Sequence, residues 1–600
     1  MDFGDFFRHI TLVFASYLGL LGIPMPLPVP PQPEDPALVR TAPADTALFV
    51  QWFGRGEAAA DTKNRTELLA QEPEVRALIN KLLSSARGAL EHEGRRDKNF
   101  EPVLQLFDQA TLLFEHPGCI SVQNVMPFSG SLVVRTGDDA IRKAIEGVFA
   151  MRGGDEADFG KQDVAGVTFA TLPLPANLGS LYWATIDGYF VLSVGEAATK
   201  QVVLGLQNKD AGLAGKPAMQ KLRAACKVER PMLRTFADLP KLAEQAPFAE
   251  KFWQPLGLTA ATAALAESGL EGDGFTSRLQ LLVPPQARES AGMLGLLGGK
   301  PLSQDDLALI PGDATTALAL RTTTGGLEKG GLLWASSFAG RDPARHWEQF
   351  VEQGRAQINV DIAKDLVAKL DDCIVAWNSP GQGGLGFTGA VASLPLRDSK
   401  AFGENLQGMW ERLAEIAPTK EKARAQGERI SPRRGYLGSF EHGGRKVWWM
   451  DHIDRDLPFG LSWTNTDRHG LVSMQPQQIR TAIDNSKFPN FDKALVRKRI
   501  VARRGNATAM IYMDLKGLLE QSYGALLVIF QMESHSWQSD GFDLDLSDLP
   551  RLESVARHLG PELTLLEPND SGWMLTRRGS LPVLDPLLVT AGMAGLLILD

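Results

Sequence analysis

The densest grouping of side chains able to bind a metal or move a proton is His442, Asp451, His452 and Asp454, set around the apolar stretch Lys446–Met450. Imidazole nitrogens and carboxylate oxygens that converge on one point hold divalent cations and activate water. These four residues are therefore the candidate metal ligands, and a metal-dependent hydrolase is the chemistry they would support. A polar hairpin face accounts for the same residues without a metal, and the nine histidines otherwise lie scattered, with no H-E-x-x-H pattern. A second oxygen-rich stretch, SDGFDLDLSD, carries Asp540, Asp543, Asp545 and Asp548. It lacks the glycine and terminal glutamate of a calcium-binding EF-hand loop. Phe542, Leu544 and Leu546 alternate with the acids, which predicts a strand with one wet acidic face.

Gly381, Gly383 and Gly386 spell G-x-G-x-x-G after the apolar run Ile374–Trp377. A dinucleotide site needs a helix to open at that point, so that its N-terminus meets the pyrophosphate. The residues that follow, Phe387–Leu394, read as a strand, so the glycines predict a hairpin loop. A basic run at Lys493, Arg497, Lys498, Arg499, Arg503 and Arg504 is matched earlier in the chain by Lys216, Lys221, Arg223, Lys227 and Arg230. Phosphate or polyanion binding is one reading; cations placed near a helix C-terminus by the macrodipole is the one adopted here. No P-loop, G-x-S-x-G or S-x-x-K motif occurs. Cys119, Cys226 and Cys373 have no activating neighbour in sequence and read as buried thiols. No catalytic residue and no cofactor is assigned, and the sequence leans away from an enzyme.

The elements that would position these groups come in two matching series. PADTALFV from Pro43 is echoed by PGDATTALAL from Pro311, and LFDQATLLFEH from Leu106 by KLDDCIVAWNS from Lys369. A strand, acidic turn and amphipathic helix from Ser131 recur from Val391. Trp183, Asp187 and Ser193 match Trp463, Asp467 and Ser473 at a constant separation of 280, and Asp238 and Gln245 match Asp514 and Gln521 at 276. Ordered blocks with drifting offsets indicate a tandem duplication, over residues 41–305 and 306–586. The paired tryptophans are expected in the core.

Within the first repeat, strands are expected at Thr46–Trp52, Thr111–Phe114, Ser131–Arg135, Val167–Leu172, Leu181–Thr185, Tyr189–Val194 and Leu233–Ala237. Helices are expected at 63–90, 138–151, 196–206 and 218–226. Asp187-Gly188 between apolar runs is a hairpin signal. Hairpins dominate, so the fold class is α+β: two tandem related lobes, each a mainly antiparallel sheet with packed helices.

The chain has 600 residues, 44% of them hydrophobic and 22% charged, enough to build large cores. Lys+Arg number 62 against 71 Asp+Glu, giving −9, and no nucleic-acid partner is expected. Three cysteines exclude a disulfide scaffold. Residues 1–25 contain the apolar run Ile10–Pro24, of signal-peptide length and short for a membrane span, followed by a Pro-rich linker over 26–40. An export signal or anchor is the expectation, a buried or interfacial helix the alternative. The tail 587–600 holds a second apolar run, Leu587–Leu599, read as packing on the body, with weak membrane contact as the alternative.

The Pro43–Val50 strand, the KNRTELLAQEPEVRALI stretch from Lys63, the YWATIDGYFVLSVGEAATKQVV block and the RTFADLPKLAEQ block together resemble a class of uncharacterised bacterial envelope proteins. These are large, duplicated, secreted or membrane-tethered chains built on a domain of unknown function. The likeness covers most of residues 40–590. It implies a bacterial origin and an exported location (periplasm, envelope or membrane-tethered), and it transfers no site residue. The expected role is non-enzymatic binding or structure. A lipid- or amphiphile-binding carrier and the hydrolase are the alternatives; partner and ligand are unknown.

Overall fold

The computed structural model describes residues 29–96, 113–125, 127–136, 142–143, 159–174, 179–245, 250–289, 292–323, 325–330, 332, 343–382, 389–416, 437–450, 460–484, 505–539 and 542–582. Ten strands fall in the first part: β1 Leu48–Phe53, β2 Pro117–Asn124, β3 Ser129–Arg135, β4 Gly160–Val164, β5 Val167–Pro173, β6 Ser180–Ile186, β7 Tyr189–Val194, β8 Arg230–Ala237, β9 Ala263–Glu271 and β10 Gly274–Leu282. Ten follow: β11 Thr316–Arg321, β12 Cys373–Asn378, β13 Val391–Pro395, β14 Leu437–His442, β15 Arg445–Met450, β16 Leu461–Asn465, β17 His469–Ser473, β18 Ala509–Asp514, β19 Pro561–Asn569 and β20 Gly572–Gly579. The helices that matter below are α1 Pro36–Thr41, α2 Arg65–Gln71, α3 Pro73–Arg96, α4 Glu196–Leu206, α5 Pro217–Cys226, α6 Ser399–Ile416, α7 Pro476–Asp484 and α8 Leu515–Ser539.

The fold is α+β, and its strands pair antiparallel throughout the described residues. The first ten run side by side as β4-β5-β6-β7-β3-β2-β1-β8-β9-β10. The last ten run as β14-β15-β16-β17-β13-β12-β11-β18-β19-β20, the same path with ten added to each number. The expected pair of lobes with a sheet each is not what the pairing gives. β10 and β20 bond along eight residue pairs, Phe275–Gly579 to Leu282–Gly572, and join all twenty strands into one sheet. Each half would otherwise leave the backbone donors and acceptors of its last strand unpaired, and the β10–β20 ladder satisfies them.

Registers repeat along with the order. Trp183 faces Leu192 as Trp463 faces Val472, a separation of 280 on both strands. Phe49 faces Phe236 as Ala317 faces Tyr512. Leu265 faces Gln280 as Leu563 faces Arg578, a separation of 298 that sequence comparison did not detect. In the joining pair, Phe275–Gly579 and Leu281–Trp573 exchange places under that shift, which leaves Arg278–Thr576 at the centre of a local two-fold arrangement.

Both faces of the first half are covered. On one, α1, α4 and α5 bring Leu38, Val202, Val203, Leu222 and Cys226 onto Phe49, Val133, Val191, Phe236 and Leu265. On the other, Trp52, Val134, Trp183, Phe190 and Leu233 form a separate core. In the second half α7 places Ile479 on Val375, Leu471 and Tyr512. On the opposite face α6 stacks Trp410 on Trp463, centroids 3.7 Å apart. Both matched tryptophans are thus core residues, as expected.

Two strand expectations fail. The strand read at Thr111–Phe114 is helical where it is described, over Leu113–Glu115, and β2 begins only at Pro117. Leu113 and Phe114 are apolar because they pack around Trp52, whose Nε1 donates to the carbonyls of Leu113 and His116. The Asp543–Asp548 stretch is not a strand either. Asp545 accepts from Ser547 N, and Asp548 from Asp545 N, which closes a short 3-10 turn over Leu546–Asp548. Aspartate side chains here satisfy backbone donors that a ladder would otherwise need.

Candidate functional site

The four metal-ligand candidates are not assembled by what is described. His442 ends β14, and its Nε2 lies 3.0 Å from Oδ2 of Asp484, the last residue of α7. Asp451, His452 and Asp454 lie outside the described residues. Among the described residues no group of three or more His, Cys, Asp or Glu side chains is placed to hold a metal. The second acidic stretch is taken by a lysine: Nζ of Lys81, on α3, sits 2.7 Å from Asp543 and 3.9 Å from Asp548.

The glycine-rich loop opens with a 3-10 turn, Pro380–Gln382, and Gly383 and Gly386 lie outside the described residues. A strand, β13, follows where a dinucleotide site needs a helix. The basic residues 493–504 also lie outside the described residues. Three of their five earlier counterparts are paired: Lys216 with Asp238 at 2.7 Å, Arg223 with Glu34 at 2.5 Å, and Arg230 with Glu67 at 2.8 and 3.0 Å. Lys216 precedes α5 rather than ending it, while Arg223 lies in its last turn and Lys227 caps its C-terminus, so the helix dipole accounts for these two. All three cysteines are buried. Burial pushes the thiols of Cys119 and Cys373 up to about 12, so neither is a nucleophile at neutral pH.

The cluster that sequence reasoning missed lies on the α5-covered face of β1, β8, β9 and β10. Gln51, Arg234, Glu267 and Arg278 stand directly opposite one another on successive strands. Arg234 is 2% exposed and Glu267 1%. Arg234 Nε donates to Glu267 at 2.6 Å, and Nη1 donates to Gln51 at 3.1 Å and to Glu34 at 2.9 Å. The second oxygen of Glu267 accepts from the backbone N of Val228 at 2.8 Å. A charge buried this deeply persists only when its fork is fully satisfied. On the other side of the two-fold centre the same row continues as Thr576, Leu565, Met510 and Ala319. One half therefore builds with charge what the other builds with hydrocarbon.

Glu34 belongs to the Pro-rich segment 29–36, which lies as a strap across the sheet edge. Gln32 N donates to Gly54 O at 3.0 Å and Gly56 N to Pro30 O at 2.7 Å. The strap closes over a cavity of about 730 Å3 lined by Pro31, Glu34, Arg223, Arg230, Arg234 and Glu267. Burial raises the Glu34 carboxyl, but hydrogen bonds and charge from Arg234 and Arg223 outweigh it and hold it below the usual range. Glu67 behaves alike, with burial outweighed by Arg230 and Thr62. A second cavity, about 790 Å3, spans the joining strands between Arg65, Glu271, Arg278, Thr576 and Arg578. Its cations are also engaged, Arg278 with Glu271 at 2.7 and 2.8 Å. Chemically, these are carboxylate-recognition forks already holding carboxylates of the chain itself. The legible signal was a charge inside an apolar strand: Arg234 in RPMLRTFA and Glu267 in AALAESGLE.

No protein-family model and no curated protein matches the sequence. Among solved structures the chain is similar to one titled "Structure of crystal form I of TP0453", at 10% identity, over 42% of this chain and 80% of that one, with a TM-score of 0.21. Nothing is transferred from so loose an overlay.

Proposed function

We propose that this is an exported, membrane-tethered protein of a bacterial envelope with a non-enzymatic binding or structural role, built by duplication as two tandem lobes over residues 41–305 and 306–586. The observation that carries the reading is the strap. The deepest charged cluster in the described residues spends its guanidinium forks on Glu34, ten residues beyond Pro24, where the apolar leader ends. Such a contact suits a tether: it fastens to the body the residues that follow the leader in the sequence. The repeated strand order and registers support the duplication.

The test is fractionation of native cells with intact-mass measurement. Retention in the membrane fraction with the leader present is expected; release of a cleaved form from the envelope would leave the protein exported but overturn the tether. Recovery of the uncleaved chain in the cytosol overturns the reading. A lipid- or amphiphile-binding carrier is favoured by one observation, the exposed apolar side chains of α8. Lipid that stays with the protein in native mass spectrometry would support it. The hydrolase, with His442 paired to Asp484, is not carried forward.

A further inference from the structure

One edge of the sheet gathers four features. β18 ends there at Asp514, opposite Pro561, and α8 starts at the next residue. β20 ends there at Gly579, opposite Phe275, and Ser580 is held by Gly560 N on its Oγ at 3.0 Å and by Thr66 Oγ1 on its carbonyl at 2.8 Å. The strap crosses the same edge beside β1, whose Phe53 faces Pro117, and its Val29 packs, with Leu83, Ala86 and Leu90 of α3, on the core of Met232, Leu270 and Phe275. α8 returns to this place too, since Asp543 just beyond it bonds Lys81 and Ser85 of α3.

The exposure of α8 is unusual for its composition. From Gln521 to Met532 it carries no charge, and Ala525–Phe530 is apolar without interruption. A helix apolar on all sides is normally enclosed. Here no residue of α8 with a described side chain is buried, and Leu526, Val528, Ile529 and Met532 are 48%, 58%, 57% and 74% exposed. No described helix is long and apolar enough to cross a membrane. Two apolar runs flank the described residues in the sequence. One ends at Pro24, five residues before Val29, and the other begins at Leu587, five after Pro582. The described chain thus begins, at Val29, and ends, at Pro582, on this edge.

We infer that the outer face of α8, centred on Val528, Ile529 and Met532, lies on a lipid surface, so that the edge where the described chain begins and ends, at Val29 and Pro582, faces the bilayer. A helix lying in the interface plane sets an apolar arc in the headgroup–acyl boundary and a polar side towards water, and Lys516 and Glu520 fall on the side of α8 away from Val528, Ile529 and Met532. This inference rests on the membrane-tether reading and adds the surface that makes contact.

The test uses the full chain carrying Ile529→Cys with an environment-sensitive fluorophore; the three native thiols are buried. It is mixed with vesicles of equal parts phosphatidylethanolamine and phosphatidylglycerol. The expected result is co-flotation with a blue shift, quenched by a lipid-borne quencher, while the same probe at Lys161→Cys on β4 stays in water. Adding Val528→Glu and Met532→Glu abolishes the shift at Ile529 with the unfolding temperature unchanged. If the protein does not float, the tether reading itself fails. If it floats and the Ile529 probe stays in water, the inference fails and the tether stands. A blue shift without lipid also overturns it. If that shift depends on concentration a second copy covers the face, and if not the chain's own segments do.

Discussion

Arg234 and Met510 occupy the same place in the two halves of one row of side chains, as do Gln51 and Ala319, and Glu267 and Leu565. The protein thereby holds its own comparison of a buried ionic solution with an apolar one. Removing one member of a buried pair strands the other charge, whereas exchanging the whole set for hydrocarbon is often neutral or stabilising. Arg234→Met alone is expected to cost about 3–5 kcal/mol, because Glu267 is left with only the Val228 amide. The triple change Gln51→Ala, Arg234→Met, Glu267→Leu, which copies the apolar half, is expected to recover that loss. Urea unfolding of the two variants checks it. A triple as unstable as the single would mean that the charges fit a space the apolar set cannot fill. The triple also removes one of the two guanidinium groups that hold Glu34, leaving Arg223, so faster proteolysis within the strap should accompany its recovered stability.

At the scale of elements, what was legible followed from signals contained within a hairpin. Asp187 and Gly188 both take positive φ, 48° and 82°, and join β6 to β7 at Ile186–Tyr189. This is the mirror-image turn that Asp-Gly favours. Added bulk at Gly188 meets nothing within 4 Å, so its cost is purely conformational. Gly188→Ala is expected to lower stability by about 1 kcal/mol. Gly118→Ala should cost more, since its added carbon would stand 2.4 Å from the Trp52 ring; denaturant midpoints of the two variants give the order. What was illegible depended on neighbours distant in sequence. β9 begins Ala263-Ala-Leu-Ala266, mostly small residues of weak strand preference, and is held in the sheet by burial on both faces, with Ala263 and Leu265 under α5 and Ala264 against Leu281 and Trp573. The length and exposure of α8 also escaped, because an uninterrupted apolar run carries no sign of which side is covered.

For the molecule as a whole, the matching blocks were readable because equivalent strands keep their spacing, while the joining of the halves was not. β10 and β20 pair through registers that leave no mark in either local pattern. Other ties cross the same divide: Thr66 to Ser580, Glu74 to Arg551 at 2.7 Å, and Glu72 to His558 at 3.1 Å. A chain ending after residue 305 would leave the backbone donors and acceptors of Phe275–Leu282 without β20. It is expected to self-associate through that edge, seen as concentration-dependent mass in light scattering, while the full chain keeps one mass over the same range. A monomeric, cooperatively folded fragment would count against the shared sheet.

The same pairing has a consequence in time. Residue 282 completes β10, yet its partner ends at residue 579. At roughly 5–20 residues added per second, the ribosome needs on the order of fifteen seconds to a minute to supply the missing strand. Throughout that interval the nascent first half is a sheet with an uncovered rim. The speed of translation, rather than any contact in the finished protein, sets how long a neighbouring chain has to reach it.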